Sequence, residues 1–526
     1  MTNTTTISTA PPGKRAGGGA GHILVFPFPA QGHMLPLLDL VHQLAVRSTT
    51  TTNTTITILV TPKNLPLLNP LLIQHPSIVQ TLVLPFPTPE NSLIPPGVEN
   101  VKDLPSGYFL PMIQTISKLC DPLLNWFQSH PSPPTYIISD MFLGWTQDLA
   151  VQLGIRRIVF SPSGAQILSV ISCLWRDLPT PANTDNNKDN DDPYALILFP
   201  KVPGCPSYPW WQLSSLYRAY VQSTKQSGGD KNSGDLEFLR KDFLGNVECW
   251  GMVFNSFHEL EGIYLDHMKR AYFGDKYLWA VGPLSQSGPT ERGGATSERA
   301  GDIFTWLDTC DDHSVVYVCF GSQAVLDNSQ MEAVAVGLGK SGVRFLWCVK
   351  EPTVGHVSDE YGLIPSWFED TTAGRGLVVR GWAPQVQILQ HKAIGSFLTH
   401  CGWNSVLESI GAGVPMLAWP MGADQFMNAT LLVDQVKVAV QVCEGAKTIP
   451  NADELAQRIA ESVATGGSTC GNQMRMKAME LKQAAYNAIR VHENGGGSST
   501  KDLDDLVQHL FSNQMAMLSR ELVPPN

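Results

Sequence analysis

The sequence is poor in everything that would tie it to a metal, a membrane or a nucleic acid. Its ten cysteines, at 120, 173, 205, 249, 310, 319, 348, 401, 443 and 470, are scattered, with no CxxC spacing and no Cys/His ligand pattern. Neither a metal site nor a disulfide framework is expected, and the plain reading is buried free thiols in a reducing compartment. No run of 18 apolar residues occurs, so no membrane span is expected. Charged residues are only 16% of the chain and the balance is acidic, net −11, which argues against nucleic acid or an anionic membrane as partner. Any phosphate site must then rely on backbone N–H groups and neutral donors. A dinucleotide fingerprint is also missing. The glycine run Gly17-Gly18-Gly19-Ala20-Gly21 precedes the first strand, and the loop after that strand, Phe28-Pro29-Ala30-Gln31-Gly32, is no Gly-x-Gly-x-x-Gly. A nicotinamide-dependent oxidoreductase is excluded on that ground.

At 526 residues the chain is too long for one core and fits two domains. Residues 1–20, rich in Thr, Gly and Pro, read as a disordered leader. Lys14-Arg15 precedes an apolar run of only Ile23 to Phe26, ended by Pro27 and Pro29, so a secretory signal is not expected. The Asn-x-Thr triplets at Asn3, Asn53 and Asn428 then carry no glycosylation meaning, and a cytosolic monomer is the expectation. A first domain is expected over 21–284 and a Ser/Gly/Thr-rich linker over 285–301. A second domain follows over 302–497, and a last helix, Asp502 to Gln514, lies within a tail over 498–526. Residues 183–193 are a polar low-complexity loop.

Short apolar runs alternate with helical patterns along both halves, which predicts doubly wound parallel sheets. His22 to Phe26 reads as a buried strand, Pro27 to Gly32 as its exit loop, and His33 through Arg47 as a helix. Tyr136 to Asp140 is another strand with a polar end, and Arg157 to Phe160 the next. His33 and Asp140 thus stand at carboxyl ends of strands, where open α/β sheets bind ligands, and can face one crevice despite lying 107 positions apart. An imidazole is the side chain suited to take a proton near neutral pH, and a carboxylate on its other nitrogen fixes the tautomer. Either residue alone is more often structural.

The most informative stretch runs from Trp382 to Gln425. Gly395 to His400 reads as a buried strand, Cys401-Gly402 as a turn, and Asn404-Ser405 as the opening of a helix stopped by Gly411 and Gly413. A helix start just past a parallel strand is an anion site, and His400, Asn404 and Ser405 add three side-chain donors. Ser405-Val406-Leu407-Glu408 is also a capping box, Trp382 alone reads as core, and Asp424-Gln425 alone as a polar turn.

Taken in order, Trp-Ala-Pro-Gln at 382–385, His-Cys-Gly-Trp-Asn-Ser at 400–405 and Asp-Gln at 424–425 resemble, without a gap, the signature box of plant UDP-sugar-dependent glycosyltransferases of secondary metabolism. That resemblance implies the GT-B architecture: α/β, two Rossmann-like doubly wound domains facing a central cleft. It implies that Trp382 stacks on uracil and that Ala383 and Gln385 hold the uracil edge and ribose. Glu408 would accept from the ribose hydroxyls, His400, Asn404 and Ser405 would bind the diphosphate, and Trp403, Asp424 and Gln425 would line the sugar. Ser322, in the Gly321-Ser322 turn after Val315 to Phe320, would face the diphosphate or be an ordinary turn. His33 and Asp140 match the family's catalytic dyad.

The implied activity is inverting transfer from a UDP-sugar, with UDP-glucose favoured by Gln425 and Trp403, to a small lipophilic acceptor such as a flavonoid hydroxyl; a terpenoid or hydroxybenzoate acceptor, or a nucleotide-sugar-binding protein without activity, is the alternative. The UDP-sugar is a co-substrate, and no metal or other cofactor is expected. Met421-Gly422-Ala423 departs from the acidic or aromatic residues common in the family there, which leaves xylose, galactose or rhamnose open. Met141, Phe142 and Phe160, beside the dyad strand, are the expected acceptor-pocket residues. Trp210-Trp211 and Tyr217 read equally as pocket wall or packed helix.

Overall fold

A computed structural model describes residues 21–48, 54–88, 93–104, 106–180, 192–226, 234–284, 300–352, 360–464, 470–491 and 495–511. The expected leader, most of the expected linker and most of the polar loop at 183–193 lie outside the described residues.

The first lobe is built on β1 (His22–Phe26), β2 (Thr55–Val60), β3 (Val79–Val83), β4 (Tyr136–Asp140), β5 (Arg156–Ser161), β8 (Gly251–Phe254) and β9 (Tyr277–Ala280). These form one parallel sheet in the order β3-β2-β1-β4-β5-β8-β9. A small antiparallel ribbon, β6 (Leu196–Leu198) with β7 (Ser207–Pro209), stands apart from it. The second lobe carries β10 (Val315–Cys319), β11 (Arg344–Val349), β12 (Gly376–Arg380), β13 (Ile394–Thr399), β14 (Met416–Ala418) and β15 (Ala439–Gln441). Their order is β12-β11-β10-β13-β14-β15, again all parallel.

Both sheets are covered on both faces, which is why their strands read as continuous apolar runs without alternation. On one face of the first sheet, Ile23, Val25, Ile138, Ile158 and Phe160 pack with Met34, Leu37 and Val41 of the helix Gln31–Ser48. The helix Ser498–Phe511 adds Leu503, Leu506, Leu510 and Phe511 to the same core. It is tied there by Trp279 Nε1–H donating to Asp505 (2.7 Å) and Ala280 N–H donating to Asp502 (2.7 Å). The chain therefore passes between the lobes twice: the terminal helix packs on the first lobe although the second-lobe strands precede it in sequence.

In each sheet the strand order reverses direction beside the strand that comes first in the chain, between β1 and β4 and between β10 and β13. Each reversal leaves a crevice at the carboxyl ends. Two element boundaries differ from the sequence reading. The first helix starts at Gln31, so His33 sits within its opening turn, and the last helix starts at Ser498 instead of Asp502, its expected end at Gln514 lying outside the described residues.

Candidate active site

At the first reversal point, His33 on the opening turn after β1 meets Asp140 at the end of β4. His33 Nδ1 lies 2.9 Å from Asp140 Oδ2, with side-chain exposures of 16% and 0%. An ionised carboxylate only accepts, so this contact puts the proton of the neutral ring on Nδ1 and leaves the Nε2 lone pair available. The second oxygen, Asp140 Oδ1, accepts from Phe142 N–H at 2.9 Å. The Phe142 ring stacks on the imidazole (centroids 4.9 Å apart, 25° between planes), and Phe28 meets it edge-on at 5.5 Å. The imidazole thus has a carboxylate on one nitrogen and aromatic walls on its faces.

At the second reversal point the turns after β10 and β13 meet. Cys401 takes a left-handed conformation (φ 63°), and its carbonyl is held by the buried Asn428 amide at 3.0 Å. That turn delivers the helix Trp403–Ala412, whose first internal bond runs from Val406 N–H to the Gly402 carbonyl. The N–H groups of Trp403, Asn404 and Ser405 therefore lie ahead of the ladder, at the positive end of the helix. The His400 ring lies between Gly321 and Gly402, where a Cβ at either would sit 2.6 Å from it. Burial lowers the His400 pKa to about 4, so the ring is neutral near pH 7, and its buried Nδ1 has no hydrogen-bond partner. Beneath the helix start, Gln385 Nε2 donates to Ser405 Oγ (3.0 Å) and Glu408 Oε2 (2.7 Å), while Tyr317 donates to Gln385 Oε1 (3.3 Å). The capping-box alternative is not formed. The cap is Gly402, and Ser405 lies three residues inside the helix, bonded to Gln385 instead.

A family model described as UDP-glucoronosyl and UDP-glucosyl transferase matches residues 295–480. The chain is 52% identical to UDP-glycosyltransferase 89B2 of Stevia rebaudiana over 491 residues, 93% of this chain and 97% of the relative. It is 50% identical to flavonol 3-O-glucosyltransferase UGT89B1 of Arabidopsis thaliana, over 93% of this chain and 96% of that one. Among solved structures, Arabidopsis thaliana UGT89C1 complexed with UDP-L-rhamnose superposes with a TM-score of 0.72 at 36% identity, covering 93% and 98% of the two chains. The chain belongs to the plant UDP-glycosyltransferase family.

In this UDP-glycosyltransferase, an enzyme of GT-B fold, the two crevices face each other and the lobes touch directly between them. Trp403 Nε1–H donates to the Asn255 carbonyl (2.8 Å), Asn404 Nδ2–H to the Gly32 carbonyl (2.8 Å), and Ser163 Oγ–H to Asp424 Oδ2 (2.8 Å). Asn404 thus bonds across the cleft, beside the helix turn that bears His33. Gln425 Oε1 accepts from Met421 N–H (2.8 Å) and Gly422 N–H (3.0 Å), so its carbonyl braces its own loop.

Trp382 is half-buried and belongs to no core cluster, Ala383 is buried and offers backbone only, and Ser322 is half-buried in its turn. Phe160 requires correction. Its side chain is fully buried in the core against the first helix, because residues 158 and 160 share a face of β5 with Ile138 of β4. Met141 is also buried, whereas Phe142 stacks on the dyad imidazole. Phe28 and Phe109, which the sequence reading did not single out, complete the aromatic surround. Trp210 packs on Tyr217, and Trp211 packs edge-on to Phe426 of the other lobe at 5.0 Å.

Proposed function

We propose that this enzyme transfers glucose from UDP-glucose to a hydroxyl of a flavonoid-like phenol, with inversion at the anomeric carbon. The observation that carries the proposal is the 2.9 Å contact between His33 Nδ1 and Asp140 Oδ2 at the mouth of the cleft. His33 Nε2 takes the acceptor hydroxyl's proton as the oxygen attacks the anomeric carbon in line, and UDP leaves from the opposite side. Asp140 stabilises the imidazolium formed. Phe109 and Phe142 offer a flat aromatic acceptor faces to stack on, and the fully buried Phe28 packs against both.

On the donor side, Trp382 stacks on uracil, Ala383 and Gln385 hold its edge and the ribose, and Glu408 accepts from the ribose hydroxyls. His400, Asn404, Ser405, Ser322 and the helix start stabilise the leaving diphosphate as preorganised donors. Trp403, Asp424 and Gln425 bind the sugar. Among the described residues no group of three or more His, Cys, Asp or Glu could hold a metal ion, and no helix is long and apolar enough to cross a membrane. A cytosolic location belongs to the same proposal, resting on cysteines that are free thiols wherever their side chains are described.

Rhamnose is the rival donor, because relatives include the flavonol 7-O-rhamnosyltransferase of Arabidopsis thaliana, 37% identical over 93% of this chain. A panel of UDP-sugars crossed with flavonols, simple phenols, terpenoids and hydroxybenzoates, read by mass spectrometry, decides both substrates. His33→Ala tests the mechanism: UDP binding is retained and transfer falls by about 100-fold or more. Unchanged turnover would remove His33 from its role.

A further inference from the structure

Behind the dyad lies a fully buried cation that the mechanism has not used. Arg157 on β5 is 1% exposed, and its guanidinium makes four bonds, all to neutral acceptors. Nε donates to Ser139 Oγ (2.9 Å), Nη1 to the Gly245 carbonyl (3.1 Å), and Nη2 to the Leu143 carbonyl (3.2 Å) and Asn246 Oδ1 (2.9 Å). Asn246 in turn donates to the Met141 carbonyl (2.8 Å), and buried Asp242 accepts from Trp145 N–H (2.7 Å). The helix Gly234–Glu248 presses so close that a Cβ on Gly144 would overlap the Asp242 carbonyl, and one on Gly245 would lie 2.9 Å from the Gly144 carbonyl. Residues 139, 141, 143 and 145 are therefore each fastened, and they flank both Asp140 and Phe142.

We infer that Arg157 is a positioning residue for the dyad, clamping the 139–145 segment with Asn246 and Asp242 and setting a positive charge behind the Asp140 carboxylate. The segment places Phe142, whose N–H bonds Asp140 and whose ring stacks on His33. The charge matters because Asp140 is fully buried, where no solvent screens it, and the guanidinium acts on it electrostatically.

The other titratable groups facing this centre are Asp242 and Cys249 on the Arg157 side, and Asp424, which feels His33 from the second lobe. Burial pushes Asp242 up to about 7 and Cys249 up to about 11, so near neutral pH neither fully offsets the guanidinium. In its working form the dyad holds one negative charge, and it is silenced by gaining a proton. A cation behind it opposes that gain, whichever of the two side chains the proton would occupy.

This inference rests on His33 as the base, and the two readings fail separately: His33→Ala reports on the base, the pH profile on the clamp. The experiment is kcat/KM against pH for wild type, Arg157→Met, Arg157→Lys and Asn246→Ala, with UDP affinity and Tm measured alongside. Arg157→Met moves the acid limb to higher pH by about half a unit or more. Arg157→Lys returns it toward wild type while kcat stays lowered, since an ammonium cannot make the four bonds. Asn246→Ala lowers kcat with the limb unmoved. An Arg157→Met limb that coincides with wild type, or profiles for Met and Lys that coincide with each other, overturns the inference. Should Arg157→Met not fold, Asn246→Ala decides: reduced kcat with UDP affinity and Tm held supports the clamp, and wild-type kcat refutes it.

Discussion

Replacing Gly164 with alanine tests how the lobes meet. Gly164 caps the helix Ala165–Asp177 at φ −69°, a conformation alanine adopts without strain, so the effect is purely one of space. The new Cβ would stand 2.6 and 2.7 Å from the Glu261 carboxylate oxygens and 2.8 Å from Cη2 of Trp403. Glu261 is fully buried and accepts from Ala165 N–H (2.9 Å), Gln166 N–H (2.8 Å) and Ser256 Oγ–H (2.5 Å), so it is held within its own lobe. Trp403 belongs to the other lobe and yields first. Overpacking of one methyl group costs about 1–3 kcal/mol, here set against the docked state, which corresponds to a loss of about 5- to 150-fold in kcat/KM for the UDP-sugar. In the proposed donor site the UDP moiety is read by the second lobe alone, so UDP affinity by calorimetry should change by less than about twofold, with Tm kept within a few degrees. Steady-state kinetics on the same preparation completes the assay. A wild-type kcat/KM would show that Trp403 does not seat against Gly164 during turnover.

Trp382→Ala should raise the Kd for UDP by about 10- to 100-fold, the worth of one base–aromatic stack, in a calorimetric titration. Asp242 gives a pH dependence. Its native carboxyl, pushed up to about 7, keeps a proton that the unfolded chain releases near 4, so stability falls as pH rises through that window, by on the order of 4 kcal/mol. Asp242→Asn should therefore gain in Tm over wild type between pH 5 and 8, and a constant difference would contradict the assignment. His400 acts in the opposite sense: with a native value of about 4, its contribution is present above about 6.5 and is lost as pH falls toward 4. His400→Gln should flatten the acid side of the Tm–pH curve.

Much of this was legible because buried parallel strands are short apolar runs ended by polar turns, and the crevice residues follow those ends. His33, Asp140 and the ordered set from Trp382 to Gln425 could be placed from that rule and the family resemblance. The misplacement of Phe160 has a plain cause: with both sheet faces covered, β5 carries no alternation to tell which way a side chain points. Asn255, Ser163 and Gly164 gave no signal, since their importance arises only when two distant segments dock. Arg157 and Glu261 did leave a trace, a charge beside or within an apolar stretch, and a buried charge always requires an explanation.

The two crossings of the chain between lobes bear on how the cleft can move. Ser499 Oγ–H donates to the Gly282 carbonyl at 2.6 Å, so the chain entering the terminal helix lies beside the chain leaving β9. With that helix moored to Trp279 and Ala280, the two passages form one doubled joint, which resists twisting more than a single strand of chain would. Cutting the chain ahead of Ser498 would leave a single strand at that joint.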